Sequence, residues 1–388
     1  MRKLLMIPGP IEISPAVVEA TSGAPPSHVA PDFIEAFGHA LTAMRKVWLA
    51  PDDHQPFAIA GSGTIAMEMA ATNLIGPGDR VLLVNTGYFG DRMAKMLRRR
   101  GAMVEELRAP AGSAPSVEAA RDQLARGGFK ALFATHVDTS TGVRVDAQAL
   151  AELARAHDAL SVFDGVCATA GERFDMGAWG ADVYLTASQK AIGLPAGLAL
   201  MVASPRALAA RKILAAPPPM SLDFQEWLPI MQAYEARAGS YFSTPATTLV
   251  RGLAVGLDEI LASRAEGASG VEARFAAHAQ AAERLRRVWR VLGLELFAED
   301  ALAANTLSAI RYPAGIDTKL VGAISERGVI VAGGLHPEHK NAYFRVGHMG
   351  YSITQPEHLE RTVSAIAEAL AALGHACDVD AARRELAS

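Results

Sequence analysis

Residues 160–164 read LSVFD, and residues 183–190 read VYLTASQK. Residues 160–163 and 183–185 are apolar enough to form buried strands; Asp164 directly follows the first, and Lys190 comes shortly after the second. The Gly/Pro-rich loop IGLPAG, residues 192–197, comes directly after the lysine. Strands that alternate with helices form mostly parallel sheets, and ligands bind in the crevice beyond the carboxyl ends of those strands. These runs therefore predict an α/β fold with a carboxylate and an amine at one crevice.

The alternation of strand-like and helical segments extends over a large part of the chain. Helical patterns such as residues 64–74 and 147–157 separate six apolar runs, at residues 57–60, 81–84, 131–134, 160–163, 183–185 and 198–202. These runs are apolar on both faces, as strands are when helices cover both sides of a sheet. The pattern predicts a large α/β domain whose sheet is mainly parallel.

A second, smaller unit is predicted after the proline-rich segment at residues 215–219. Long helical patterns at about residues 247–292 lead into three further strand-like runs, near residues 306–311, 328–331 and 342–346. The last long helix is predicted to begin with a capping box formed by Thr354 and Glu357, and Gly374 is placed to end it.

The composition indicates a compact protein with a small ligand. The chain has 388 residues, 50% of them hydrophobic, which is enough for a large buried core. Its formal charge of -4 provides no general attraction for nucleic acid or an anionic membrane. Two cysteines, Cys167 and Cys377, are too few for a disulfide framework, and the spacing of His28, His136 and His348 indicates no metal site.

The beginning of the chain predicts neither an export signal nor a membrane anchor. Its apolar run, residues 4–7, is cut after four residues by Pro8 and is too short for a signal peptide. The longest apolar stretch, residues 192–203, is shorter than the roughly 18 residues that suggest a membrane span. We therefore expect a cytoplasmic protein.

Residues 61–64, GSGT, predict an anion site because they follow a strand and begin a helix. Backbone N–H groups at a helix N-terminus bind phosphate, although an ordinary turn and helix cap would explain the same residues. The spacing of Gly61, Gly63 and Ala66 also satisfies a loose dinucleotide-binding pattern. The next strand ends in Asn85 rather than in the acidic residue that would hold a ribose hydroxyl, so dinucleotide binding is disfavoured.

Five candidate side chains fall just beyond predicted strand ends and predict a single crevice: Ser62, Phe89, Thr139, Asp164 and Lys190. A loop lysine and a buried carboxylate suit pyridoxal phosphate, because the amine holds the cofactor aldehyde as a Schiff base while the carboxylate keeps the ring nitrogen protonated. Alone, Asp164 could be a turn residue before Gly165, and Lys190 a solvated lysine. Arg345, in a strand-like apolar setting, predicts a substrate-carboxylate site, with a structural salt bridge as the alternative.

Six motifs, with their order preserved along nearly the whole chain, resemble the class V aminotransferases, above all the alanine-glyoxylate and serine-pyruvate or serine-glyoxylate enzymes. The motifs are residues 8–10 (PGP), 61–64 (GSGT), 135–142 (THVDTSTG), 164–166 (DGV), 188–191 (SQKA) and 345–348 (RVGH). The resemblance implies a fold type I PLP-dependent transferase: an N-terminal arm, a large domain with a mainly parallel seven-stranded sheet, and a smaller C-terminal α+β domain. The corresponding ranges are 1–14, 15–262 and 263–388.

The resemblance also implies the roles of the site residues. Lys190 would form the Schiff base with pyridoxal 5'-phosphate, Asp164 would pair with the ring nitrogen, and Val166 would pack on the ring. Phe89 would stack on the ring and Thr139 would bond its hydroxyl, where relatives often carry tryptophan and serine. The implied phosphate ligands are Ser62, Gly63, Thr64 and Gln189, with Tyr241 and Thr244 of the other subunit of a homodimer. Arg345 would bind the substrate α-carboxylate.

The predicted reaction moves an amino group from alanine or serine to glyoxylate or pyruvate by a ping-pong mechanism. Two alternatives remain at this stage: a lyase of the same fold, or an aminotransferase for another donor such as aspartate or aminoethylphosphonate. Cys377 is poorly placed for the thiol of a cysteine-cleaving enzyme. The sequence assigns no role to His28 or Cys167.

Overall fold

A seven-stranded sheet forms the centre of the computed structural model, which describes residues 2–387. The strands of the chain are β1 Leu4–Leu5, β2 Gln55–Ala60, β3 Arg80–Asn85, β4 Met103–Arg108, β5 Phe129–Thr135, β6 Val137–Asp138, β7 Val143–Arg144, β8 Leu160–Asp164, β9 Val183–Ala187, β10 Leu198–Ala203, β11 Arg264–Ala265, β12 Ala268–Ser269, β13 Leu307–Arg311, β14 Val329–Ile330, β15 Ala332–Gly333 and β16 Tyr343–Gly347. The α-helices are α1 Pro15–Thr21, α2 Pro31–Val47, α3 Gly63–Leu74, α4 Tyr88–Arg99, α5 Val117–Leu124, α6 Ala147–Ala156, α7 Met176–Trp179, α8 Pro205–Ile213, α9 Phe224–Glu235, α10 Thr247–Leu261, α11 Gly270–Val291, α12 Lys319–Glu326, α13 Pro356–Ala372 and α14 Val379–Ala387.

The large sheet has the strand order β2-β10-β9-β8-β5-β3-β4. Strand β10 runs antiparallel to both of its neighbours, and the other paired strands are parallel. This confirms the predicted α/β class and the mainly parallel seven-stranded sheet. All six predicted strands are present, and their central members are buried on both faces.

Strand β4 is the member of this sheet that the sequence analysis missed. Its residues, MVEELR, include three charged side chains, and both of its ends are exposed, because it lies at the edge of the sheet beside β3. An edge strand needs no continuous apolar run, since solvent covers part of it. A prediction based on fully apolar runs therefore does not include this strand.

The second sheet is antiparallel, with the order β13-β16-β15, and it confirms the predicted strands near residues 306–311 and 342–346. Its apolar face packs against α11 and α13, where Trp289, Phe344 and Ile366 are fully buried. The predicted run at 328–331 instead forms β14, which pairs in parallel with β1 and so ties the start of the chain to this unit. The domain boundaries at residues 15 and 263 stay a prediction.

The predicted capping box of the last long helix is wrong. The residues before α13 form a 3-10 turn, Gly350–Thr354, and Gln355 takes the N-cap position. The Thr354 hydroxyl donates to the carbonyl of Tyr351 instead of accepting from the helix. Pro356 fits the first helical position, since its missing N–H has no partner there anyway. Gly374 does follow the helix end, with φ +89°.

No helix within residues 2–387 is long and apolar enough to cross a membrane.

Candidate active site

A cavity lies beyond the carboxyl ends of the parallel strands, bordered by the N-termini of α3 and α4. Nine of the residues predicted for the site line it: Ser62, Gly63, Thr64, Phe89, Thr139, Asp164, Val166, Gln189 and Lys190. No site role was predicted for the other five lining residues, which are Met67, Arg92, Thr135, Val137 and Cys167. Cys167 is fully buried beside the Asp164 turn.

Lys190 lies in this cavity on a loop that hydrogen bonds hold in shape. The hydroxyl of Ser188 donates to the Pro195 carbonyl at 2.7 Å, and the N–H of Gly193 donates to the Lys190 carbonyl at 2.8 Å. The lysine is only 8% exposed, and its Nζ donates to the carbonyl of Pro8. Burial lowers the pKa of Lys190, and the positive charge of Arg345 lowers it further against the opposing effects of Cys167 and Asp164. A lowered pKa raises the fraction of neutral amine, the form that acts as a nucleophile.

Asp164 ends β8 with its carboxylate buried. Its Oδ1 accepts a hydrogen bond from the N–H of Val166 at 2.9 Å, which forms the turn into the next segment. Burial raises the pKa of Asp164 to about 6, against the opposing effects of the Val166 hydrogen bond, Arg92 and Lys190. The charged carboxylate is therefore incompletely compensated, and a cation bound beside it would favour the ionised form.

The N-terminus of α3 has the geometry of an anion site. Ser62 is the N-cap residue, yet its side chain makes no capping hydrogen bond within the helix. A Cβ at Gly63 would lie 2.8 Å from Cγ2 of Val166, so glycine keeps the backbone open at this point. Gln189 Oε1 is buried and has no partner among the described residues, as expected where a polar ligand completes a site. These features fit a phosphate group.

Arg92 adds a positive charge to this end of the cavity. Its Nη1 donates to Oγ1 of Thr64 at 2.7 Å, and its guanidinium lies 5.0 Å from the centre of the Phe89 ring. Three helical residues separate Arg92 from Tyr88, so both reach the same side of α4. Phe89 is a candidate from the sequence because it follows a predicted strand, whereas the arginine one turn later carries no separate sequence signal.

Asp138 fixes the first turn of α4 and thereby the position of Phe89. The carboxylate is fully buried, and its Oδ2 accepts from the N–H of Phe89 at 3.1 Å and, more weakly, from that of Gly90 at 3.4 Å. Its Oδ1 accepts from the N–H and hydroxyl of Ser140. Asp138 thus joins the loop that carries Thr139 to the helix that carries Phe89, and both residues line the cavity.

Arg345 lies on β16 next to the cavity but does not line it. Its Nε donates to the Gly333 carbonyl at 2.9 Å, and its Nη1 donates to the Thr139 carbonyl at 3.0 Å. No ion pair of Arg345 occurs among residues 2–387, so the structure does not support the alternative of a structural salt bridge. The two carbonyls orient the guanidinium without neutralising its charge.

The structure does not bring Tyr241 and Thr244 to this cavity within one chain. The Tyr241 ring is 63% exposed and lies 5.4 Å from the ring of His28. Their placement in the site of a second subunit stays a prediction. The other histidines considered in the sequence have structural partners: His136 contacts the Tyr184 hydroxyl and His348 contacts Ser308.

Gly9→Ala is expected to destabilise the fold through a clash with the lysine. A Cβ at Gly9 would lie 2.5 Å from Cδ of Lys190 and 2.9 Å from the Gln189 carbonyl oxygen. Gly23 is the matched control, because it has the same φ of +89° and a Cβ there would meet no atom within 4 Å. We expect Gly9→Ala to lower the free energy of unfolding by about 1–3 kcal/mol more than Gly23→Ala. Equal losses in chemical denaturation would contradict the close packing of Gly9 on Lys190.

Comparison with known proteins places these features in a family. The family model for aminotransferase class V matches residues 20–346. Alanine--glyoxylate aminotransferase 1 of Saccharomyces cerevisiae is 36% identical over 362 residues, which cover 89% of this chain and 91% of the relative. L-aspartate--glyoxylate aminotransferase of Paracoccus denitrificans is 32% identical, covering 89% and 86%. The crystal structure of an alanine--glyoxylate aminotransferase from Nostoc sp. superposes with a TM-score of 0.87 at 28% identity, covering 95% of this chain and 96% of that one.

Proposed function

This chain belongs to the class V aminotransferase family, and from that membership we propose that it uses pyridoxal 5'-phosphate to move an amino group from alanine or serine to glyoxylate or pyruvate. One observation carries the proposal: Lys190, Asp164 and the N-terminus of α3 surround a single cavity. An amine, a buried carboxylate and an anion site are the three features that this cofactor requires of a protein.

The lining residues fit the cofactor group by group. The phosphate would be held by Ser62, Gly63, Thr64 and Gln189. The buried Oε1 of Gln189 has no hydrogen-bond partner among the described residues and could therefore bond to a ligand at this end of the cavity. Asp164 would pair with the ring nitrogen. Phe89 and Val166 would contact the ring, Thr139 would bond its hydroxyl, and Lys190 would bind its aldehyde. When bound, the cofactor supplies an electron-accepting ring that stabilises negative charge at the substrate Cα.

Lys190 is proposed to move the proton at the substrate Cα. Its pKa is lowered by burial, so at neutral pH a larger fraction of the amine is free to accept a proton. Arg345 would bind the α-carboxylate with its planar fork and so orient the Cα–H bond toward the lysine. Its bonds to the Gly333 and Thr139 carbonyls hold the guanidinium in place before substrate arrives.

A small donor fits the cavity better than a dicarboxylate. Arg92 is the arginine among the lining residues, and it is already bound to Thr64 at the proposed phosphate end. Val137 and Cys167, which carry no positive charge to pair with a second carboxylate, also line the cavity. The yeast relative is named for alanine and the Paracoccus relative for aspartate, and this lining favours alanine or serine.

The working unit is proposed to be a homodimer with shared active sites. Tyr241 and Thr244 would reach the phosphate of the other subunit, which agrees with the exposure of the Tyr241 ring in the single chain. A cytoplasmic location is also proposed, since both cysteines are free thiols, as is usual in a reducing compartment.

A single half-reaction tests the proposed function. Purified protein saturated with pyridoxal phosphate is expected to lose its visible absorption on addition of alanine or serine alone, and to regain it on addition of glyoxylate. Ping-pong exchange requires each half to proceed without the other substrate. Absence of a spectral change with either donor would contradict the proposal.

Arg345→Gln is the control within this experiment. The variant retains every residue proposed to hold the cofactor, so its spectrum before addition should match that of the wild type. Its half-saturating alanine concentration should rise about 10- to 100-fold, because a charged hydrogen-bonded pair is lost. An unchanged alanine requirement would show that Arg345 does not bind the carboxylate.

A further inference from the structure

The turn before β16 carries two histidines and a glutamate on one side. One ligand atom from each of His336, Glu338 and His339 lies within 4.8 Å of the others. We propose that these three side chains form a binding site for a divalent transition-metal ion, with zinc as the representative ion. The proposal does not rest on the proposed aminotransferase reaction.

The backbone of the turn brings the three ligands together. The N–H of His339 donates to the carbonyl of His336 at 3.2 Å, which closes a tight turn, and the N–H of Ala342 donates to the His339 carbonyl at 2.8 Å. The two imidazole rings have their centres 5.0 Å apart. Glu338 lies between them in sequence and is exposed, so its side chain can rotate toward the two rings.

The base of the turn is anchored to the protein core. The Tyr343 hydroxyl accepts from the N–H groups of Leu335 and His336 at 3.0 and 2.9 Å. The Tyr343 ring is fully buried and stacks on Phe297 with ring centres 4.3 Å apart, and the same phenylalanine lies 5.8 Å from the ring of His339. The turn is therefore largely ordered once the protein has folded, so metal binding has a smaller conformational-entropy cost.

Two imidazoles and one carboxylate form a ligand set that suits zinc and leaves a fourth position for water. With metal–ligand distances of about 2.0–2.2 Å, tetrahedral ligand atoms lie about 3.3–3.6 Å apart, so the side chains must rotate inward. His336 must also give up the weak hydrogen bond that its Nδ1 accepts from the N–H of Glu338 at 3.3 Å, or bind through its other nitrogen.

The position of the turn gives metal binding a structural consequence. Pro337 lines a groove with Tyr88 and Arg92, so the turn lies at the outer edge of the cavity. Tyr343 donates to the Ser140 carbonyl, and Gly333, at the other end of the turn, accepts from Arg345. A bound ion would therefore reduce the motion of a segment that adjoins the substrate-carboxylate site.

Zinc titration of the complete, untagged holoenzyme tests the site. After treatment with a chelator and dialysis, the wild type is expected to bind one zinc ion per chain in calorimetry with zinc chloride. The double variant His336→Gln, His339→Gln is expected to bind at least about tenfold more weakly. His157→Gln is the matched control, because this histidine is exposed at the end of α6 and lies outside the cluster.

Amide hydrogen exchange gives a second measurement that does not depend on activity. Zinc is expected to slow exchange in residues 334–342 of the wild type and of His157→Gln, and to leave it unchanged in the double variant. No zinc uptake by the wild type, equal affinity in the double variant, or slowed exchange confined to another segment would each overturn the assignment.

Discussion

Lys190→Ala is expected to lower kcat for transamination by at least about 1,000-fold at saturating cofactor, because the variant loses a nucleophile and a proton carrier together. The amine is 8% exposed, and among the residues lining the cavity it is the one lysine. A water molecule that took its place would be a far weaker base. The measurement is kcat for the alanine and glyoxylate pair.

Two controls separate chemistry from folding. Lys212→Ala removes an exposed lysine near the end of α8 and should leave kcat unchanged. A small primary amine in the buffer should restore part of the activity of Lys190→Ala, because it returns the missing functional group without a covalent link. A kcat within tenfold of wild type for Lys190→Ala would refute the assignment of this residue.

The large sheet could be predicted from the sequence because the central strands of the sheet are buried on both faces. Such strands form continuous apolar runs in the sequence. Five of the nine lining residues, Ser62, Phe89, Thr139, Asp164 and Lys190, could be predicted for a related reason: they lie at or just beyond strand ends, and parallel strands bring their carboxyl ends to one edge. Gly63 and Thr64 belong to the predicted anion site, and Val166 and Gln189 were implied by the resemblance to a known family. The edge strand Met103–Arg108 lacked this signal because solvent replaces one neighbour.

Other features depended on contacts between distant segments. Arg92 reaches Thr64 across 28 residues, and no local pattern marks that bond. The apparent capping box at Thr354 failed because Pro356 begins the helix two residues later. No metal site was predicted, because the spacing of His28, His136 and His348 indicates none. His336, Glu338 and His339 are close in sequence, but it is the folded turn that brings their ligand atoms within 4.8 Å of one another.

Asp164→Asn is expected to slow catalysis while stabilising the protein that lacks cofactor. The amide keeps the size of the side chain and can still accept from the Val166 N–H, but it carries no charge to pair with the ring nitrogen. Loss of a buried electrostatic partner of the reacting group typically costs about 100- to 1,000-fold in kcat, and we expect an effect of that size. A kcat within tenfold of wild type would contradict the proposed pairing.

The stability effect has the opposite sign and depends on pH. The pKa of Asp164 is raised from its usual value of 3.8 to about 6 by burial, so the native state binds this proton more tightly than the unfolded chain does. Stability contributed by the protonated acid is present below about pH 4 and is lost as pH rises to about 6, a difference of about 3 kcal/mol. Asparagine does not ionise and loses nothing over this range. The measurement is the free energy of unfolding of cofactor-free protein as a function of pH. The amount by which Asp164→Asn exceeds the wild type should grow between about pH 4 and 6 and remain constant above pH 6. A difference that does not change with pH would show that burial does not destabilise the native carboxylate.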